Sequence, residues 1–321
     1  MPTRTKFELK PGMATREAFG HELAELGREK QNVVAIDADL SKSTFTHLFA
    51  KEFPDRFFSC GIAEANMVGI AAGLASAGKI PFAASFASFI VNKGFEQMRV
   101  VVAYPGANVK IVGTHSGVSI GEDGPSQMAV EDLSLACALP GFVVLSPADE
   151  VSMKALVRAA AEHNGPVYIR AGRPKVPAIY QAGQKFEIGK AIELADGKDL
   201  TIMATGLLVA EALRTREHLE SEGISARVID LHTVKPLDRE AIRKAAAETK
   251  AIVVAEEHLV DGGLGVRVAQ VVAETQPCPM EFVGIQDTYA ESGTPDQLLE
   301  KYGLLTRDVI AAAYRVLRRK S

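Results

Sequence analysis

The chain has 321 residues, 47% of them hydrophobic, with 36 Lys and Arg against 40 Asp and Glu for a net charge of −4. This length suggests two domains with sizeable cores, and the balanced charge, free of long like-charge runs, argues against a nucleic-acid binder. Three scattered cysteines (Cys60, Cys137, Cys278) fit neither a disulfide framework nor a zinc site, and no apolar run approaches the roughly 18 residues of a membrane span. Without an apolar leader-like stretch near Met1, a cytoplasmic location is expected.

Residues 14–29 predict an amphipathic helix with Phe19, Leu23 and Leu26 on one face. Val33 to Ile36 predict a short buried strand. Residues 62–77 (IAEANMVGIAAGLASA) predict a helix that is apolar nearly all round, the pattern of a helix buried on every side. Strands are expected near 81–85, 109–113, 142–145 and 166–170, with helices between most of them. Residues 171–190 carry two prolines and no helical period, and read as a linker. A second series follows, with strands at Leu200–Ala204, Ala226–Asp230, Ala251–Ala255 and Glu281–Val283 and helices near 206–222, 238–248, 264–275 and 306–319. The alternation predicts an α/β protein of two three-layer domains with mainly parallel sheets, residues 10–183 and 184–321.

Glu64 opens the apolar helix. Either it is buried, where desolvation favours a neutral acid able to exchange a proton with a ligand's ring nitrogen, or it sits at the surface and meets the helix dipole. Phe86 and Phe89, three apart and expected on one helix face, form either a stacking platform for a flat ligand or plain core. The stretch HSGVSIGEDGPSQM starts at His115, right after a strand. Long loops without periodicity inside compact domains are more often functional than accidental, and strand ends are where open α/β sheets bind ligands. Its His115, Glu122, Asp123, Ser126 and Gln127 suit a polyol. Arg16, at a helix start, and Arg173, beyond a strand end, are placed to clamp a phosphate, although each alone reads as a surface residue. DGGLGVRVAQ lacks the GxGxxG spacing and reads as a turn that caps the next helix.

GIAEANMVGIAAGLA, the phenylalanine segment and HSGVSIGEDGPSQMAVEDL, in this order, resemble transketolase, a thiamine-diphosphate enzyme. The likeness runs from ATREAFG to RVIDLHTVKPLD and VVAEEHLVDGGLG. It implies a thiamine-diphosphate pyrimidine-binding domain followed by a transketolase C-terminal-like domain. It covers only the second half of a full-length enzyme. The first half, with its GDG motif for Mg2+, has no counterpart here, which implies the C-terminal subunit of a split transketolase. A partner N-terminal subunit would hold the cofactor diphosphate and Mg2+ in an α2β2 heterotetramer.

The resemblance makes Glu64 and His115 catalytic, Glu64 by hydrogen-bonding the aminopyrimidine and promoting its imino tautomer. It places Phe89 against the pyrimidine with Phe86 beside it, and Asp39 near the cofactor. Arg16, Ser43, His115 and Arg173 match a sugar-phosphate cluster, and Asp123 matches a carboxylate that reads a substrate hydroxyl. Gln127 stands where many microbial and plant transketolases have histidine and animal-type enzymes have glutamine. The implied reaction moves a two-carbon ketol unit from a ketose phosphate to an aldose phosphate, as in the pentose phosphate pathway. Three rivals share the fold: the β subunit of a 2-oxo-acid dehydrogenase E1 component, expected to carry a histidine-rich loop in place of GEDGPSQM and to lack the phosphate cluster; a 1-deoxyxylulose-phosphate synthase fragment, whose loop also differs; and a non-catalytic regulatory subunit.

Overall fold

The computed structural model describes residues 9–320. β1 (Lys10–Ala14) precedes a parallel sheet of β2 (Val33–Asp37), β3 (Phe57–Ser59), β4 (Ile80–Phe86), β5 (Lys110–Thr114), β6 (Val143–Leu145) and β7 (Val167–Arg170), in the order 6-7-5-4-2-3. β8 (Lys175–Ala178) turns back to pair antiparallel with β1. A second sheet contains β9 (Ile192–Ala195), β10 (Leu200–Ala204), β11 (Ala226–Asp230), β13 (Ile252–Leu259) and β14 (Met280–Ile285), in the order 14-13-10-11-9 with only β9 antiparallel. Between β11 and β13, the short β12 (Thr233–Lys235) leaves its own series and adds antiparallel to β6 of the first sheet. The sheets are therefore stitched together across the expected boundary at 183/184.

β2, β5, β10 and β11 are buried at every residue, as parallel strands covered by helices on both faces must be. The helix Thr15–Glu29 buries Phe19, Leu23 and Leu26 as its periodicity predicts, and packs on the helix Glu150–Glu162.

Two expectations need correction. Residues 171–190 are not a free linker, because β8 lies inside them. The segment after β8 is fastened by Asp149, whose carboxylate caps the helix Glu150–Glu162 and also accepts from the amides of Ile179 and Tyr180 at 2.8 and 2.9 Å. Tyr180 in turn donates to buried Asp230 at 2.6 Å. Prolines forbid a helix here but not an edge strand, and Pro11 and Pro177 face each other in the ribbon. The second correction concerns the helix Glu64–Ser76. Only Glu64, Met67, Val68 and Ala71 are buried, while Asn66, Gly69 and Gly73 face outward.

His232 lies at the seam between the sheets, fully buried, with Nδ1 3.0 Å from Thr233 Oγ1 and the Phe186 ring edge-on at 5.3 Å. Burial holds its pKa down to about 4. An unfolded histidine titrates near pH 6.5, so at neutral pH both states are uncharged. As pH falls from 6.5 towards 4 the unfolded chain takes up the proton first, and about 3 kcal/mol of stability is lost. His232→Asn is expected to flatten that acid limb, with urea midpoints at pH 7 and pH 4.5 lying closer together than in the parent chain.

Candidate active site

The strands of the first sheet point their carboxyl ends the same way, and the candidate residues collect there. Asp39 follows β2, Phe86 closes β4, His115 follows β5 and Arg173 follows β7, while Arg16 reaches in from the first turn of the helix after β1. This is the edge where open α/β sheets bind ligands.

One end of the site is cationic. Arg16 donates from Nη1 to the Ser43 carbonyl at 2.7 Å and from Nε to the Arg173 carbonyl at 3.3 Å, and lies over the Phe45 ring. Gly20 allows this approach, since a Cβ there would stand 2.3 Å from Phe45 Cβ. Arg173 donates to the Ile120 carbonyl and to exposed Glu122 at 2.8 Å. Burial, and then the charge of Arg173, lower the Arg16 pKa. Two guanidiniums held together with one exposed carboxylate for balance suit a dianion such as phosphate.

His115 stands in the same cluster, 2% exposed and in the left-handed region at φ 56°. Thr114 Oγ1 donates to the Ser85 carbonyl at 3.2 Å and meets His115 Nδ1 at 2.9 Å. With its only proton committed, that hydroxyl accepts from Nδ1–H, which leaves Nε2 as an acceptor. Burial, then Arg16 and Arg173, push the His115 pKa down to about 3.

The other end is carboxylate and aromatic. Glu64, 3% exposed, is the first residue of its helix, so of its two readings the structure takes the buried one. Lys93, missed in the sequence, places its Nζ 3.5 Å from Glu64 and 4.3 Å above the Phe89 ring. Phe86 ends a strand rather than sharing a helix with Phe89, yet their rings stack at 5.4 Å, and Phe86 stacks on His115 at 3.8 Å. Lys93 thus links Glu64 to the stack of Phe89, Phe86 and His115, and the charges of Arg16 and Arg173 act on the His115 end. The Lys93 ammonium meets ring face and carboxylate together, as a flat ring bearing an amino group would. A buried carboxylate beside an aromatic face is the donor set that an aminopyrimidine would need here.

Asp39 is exposed at φ 65° on the turn after β2. Buried Asp37 shapes that turn by accepting from the Leu40 amide, Thr44 and Thr46, and burial pushes its carboxyl up. Asp123 is exposed and Gln127 half-buried on the loop after β5. The Gln127 main-chain carbonyl accepts from Ser88 Oγ at 2.9 Å. The loop has a 3-10 turn, Val118–Ile120, and buries Val118, Ile120, Met128 and Val130 in the core of the second sheet. In DGGLG, the Glu256 carboxylate receives the amides of Leu264 and Gly265 at 2.7 and 2.8 Å. The capping turn expected there is present, with a carboxylate where a phosphate loop would hold its ligand. Among the described residues no group of three His, Cys, Asp or Glu could hold a metal ion, and no helix is long and apolar enough to cross a membrane.

Residues 11–178 match the family model of the transketolase pyrimidine binding domain, and residues 189–309 match that of the transketolase C-terminal domain. The chain belongs to the transketolase family. It is 47% identical over 292 residues to a putative transketolase C-terminal section of Methanocaldococcus jannaschii, covering 90% of this chain and 92% of that protein. It is 41% identical over 306 residues to the 6-deoxy-6-sulfo-D-fructose transketolase subunit SqwH of Clostridium sp., covering 95% of each. A solved split-gene transketolase, an inactive β4 tetramer, superposes with a TM-score of 0.91 at 51% identity, covering 97% of this chain and all of that one. The transketolase relatives favour that reading over the E1 rival.

Proposed function

We propose that this chain is the pyrimidine-binding half of a thiamine-diphosphate-dependent transketolase, completed by a separate N-terminal chain that supplies the diphosphate and Mg2+ site. The supporting observation is the stack of Phe89, Phe86 and His115, linked to Glu64 by Lys93 at one end and under the charges of Arg16 and Arg173 at the other. It joins a buried carboxylate and aromatic face, fit for an aminopyrimidine, to a cationic pocket fit for the far end of a sugar phosphate. Residues 10–183 act as the pyrimidine-binding domain and 184–321 as the C-terminal domain.

When bound, the cofactor supplies the carbanion chemistry of carbon–carbon cleavage and formation. Glu64 would donate its acid proton to the pyrimidine ring nitrogen and accept the hydrogen bond back from the ring N–H once the proton has moved. Phe89, with Phe86 behind it, fixes the ring plane. Arg16, Arg173 and the Ser43 turn anchor the phosphate, so that the reacting carbonyl is held at a set distance from the Glu64 end. His115 lies between the two ends, its ring locked by Thr114 and Phe86. Asp123 and Gln127 face the substrate hydroxyls, and Asp39 borders the cofactor.

The open face of the helix Glu64–Ser76 supports a partner chain. It adjoins Ile62, Val100 and Tyr104, which are 78%, 45% and 91% exposed. Large exposed apolar side chains beside an exposed helix face mark a protein interface, and an α2β2 assembly would cover them while completing the cofactor site. The expected result is ketol transfer from xylulose 5-phosphate to ribose 5-phosphate, with thiamine diphosphate and Mg2+, only when the chain is mixed with its N-terminal partner. Activity of the chain alone, or inactivity of the stable mixture with every ketose tried, would overturn the reading. The sulfosugar relative makes 6-deoxy-6-sulfofructose the second donor to assay, because a sulfonate offers the arginines a similar anion.

A further inference from the structure

We infer that Glu257 is a positioning residue, through which the C-terminal domain holds the loop of His115, Asp123 and Gln127 in its binding shape. This rests on the reading of that loop as part of the sugar-phosphate site.

The loop runs from the end of β5 to the helix Asp132–Ala138, and its base is locked within the first domain. Ser116 Oγ donates to the Ala171 carbonyl at 3.0 Å, and the Gly117 amide donates to the Ala129 carbonyl at 2.8 Å. Arg170, the last residue of β7, grips buried Asp132 through two nitrogens and donates to the Ala129 carbonyl. That guanidinium also reaches the second domain, donating to the Glu257 carbonyl at 2.8 Å.

Three successive residues at the end of β13 then hold the loop from the other side. The Leu259 amide donates to the Val130 carbonyl at 2.9 Å, and His258 Nε2 lies 3.3 Å from the Ser134 amide. Both contacts fall at or beyond the loop's exit. Glu257 alone of the three reaches into the loop, its Oε1 accepting from the Ser119 amide at 2.7 Å. Ser119 lies midway between His115 and Asp123. The loop backbone rests directly on this carboxylate. Gly117 has φ +78°, and a Cβ there would stand 2.1 Å from the Glu257 carboxyl carbon. Packing alone does not call for a carboxylate at a buried position, where it costs free energy unless hydrogen-bonded. What it provides here is an acceptor for a buried loop amide that an apolar side chain would leave unpaired.

The test compares Glu257→Ala, Glu257→Gln and, as a control at the same domain seam, Tyr180→Phe, which removes the bond to Asp230. Two readouts are needed: amide hydrogen exchange across residues 116–127 of the purified chain, and kcat and KM of the assembled enzyme with a phosphorylated ketose. Glu257→Ala is expected to speed loop exchange and to raise KM about tenfold, the loss of one hydrogen bond's free energy, while kcat changes far less. Glu257→Gln keeps an oxygen acceptor and is expected to restore both to within about twofold. Tyr180→Phe is expected to leave both unchanged. The inference fails if loop exchange is unaltered in Glu257→Ala, if glutamine is as harmful as alanine, or if Tyr180→Phe reproduces the alanine effect. Absence of ketol transfer in the parent complex would sink the functional reading instead, and the exchange data would still decide whether Glu257 holds the loop.

Discussion

Glu64→Ala is expected to lower kcat of the assembled enzyme about 10²- to 10⁴-fold, the range of a lost general acid–base group, with the chain still folded and still bound to its partner. The carboxylate is buried and next to an aromatic face, yet it contributes little to the fold. Its ion pair is with Lys93, whose side chain is 51% exposed, and such pairs contribute at most about 1 kcal/mol. Its place in the first helical turn adds about 0.3–1 kcal/mol through the dipole. A large kinetic loss with a small stability loss separates a group that works on the cofactor from one that supports the helix. Glu64→Gln sharpens the comparison, because the amide can still accept a hydrogen bond but cannot exchange a proton. If proton exchange is the role, glutamine fails nearly as badly as alanine. Native mass spectrometry and thermal unfolding establish that each variant is intact and assembled. An alanine variant within a few-fold of the parent kcat would remove Glu64 from the chemistry and revive the reading of this chain as a regulatory subunit.

The sequence made Glu64 conspicuous because it breaks an otherwise apolar helix, but it left a buried and a surface place equally open, and the fold decided for burial. The arginine cluster was legible only in parts. Arg16 and Arg173 each look like surface residues, and their union depends on two strand ends and a turn meeting in space. Arg170 carried no local signal and Glu257 only a faint one, since their partners lie 38 and 138 positions away. A trace existed in the run Glu256-Glu257-His258, which prolongs an apolar strand without the alternation of a half-exposed one. All three are buried. The nearly all-apolar pattern of the helix Glu64–Ser76 predicted burial on every side, and the chain buries only the face of Glu64, Met67, Val68 and Ala71. Small apolar residues such as Gly69 and Gly73 carry too little hydrophobic side chain to distinguish an outward face from an inward one. β12 is three residues long, too short for any period, so its crossing to the first sheet was invisible.

Arg16→Ala is expected to reduce kcat/KM for a phosphorylated ketose roughly 10- to 100-fold, the worth of one charge-assisted hydrogen bond of about 1.5–3 kcal/mol. With the corresponding unphosphorylated ketose the loss should nearly vanish, because nothing remains for the guanidinium to bind. That contrast is the measurement, and it isolates phosphate recognition from general damage. Arg173→Ala should show the same contrast with an added loss on both substrates, since Arg173 also secures the loop through the Ile120 carbonyl and Glu122. Arg173→Lys keeps the charge but has no fork to span the loop and an anion together, so it should fall between parent and alanine. Equal losses on phosphorylated and unphosphorylated donors for Arg16→Ala would mean that its bonds to the Ser43 and Arg173 carbonyls are purely architectural. The anchor for the substrate's anionic end would then have to be sought on the partner chain.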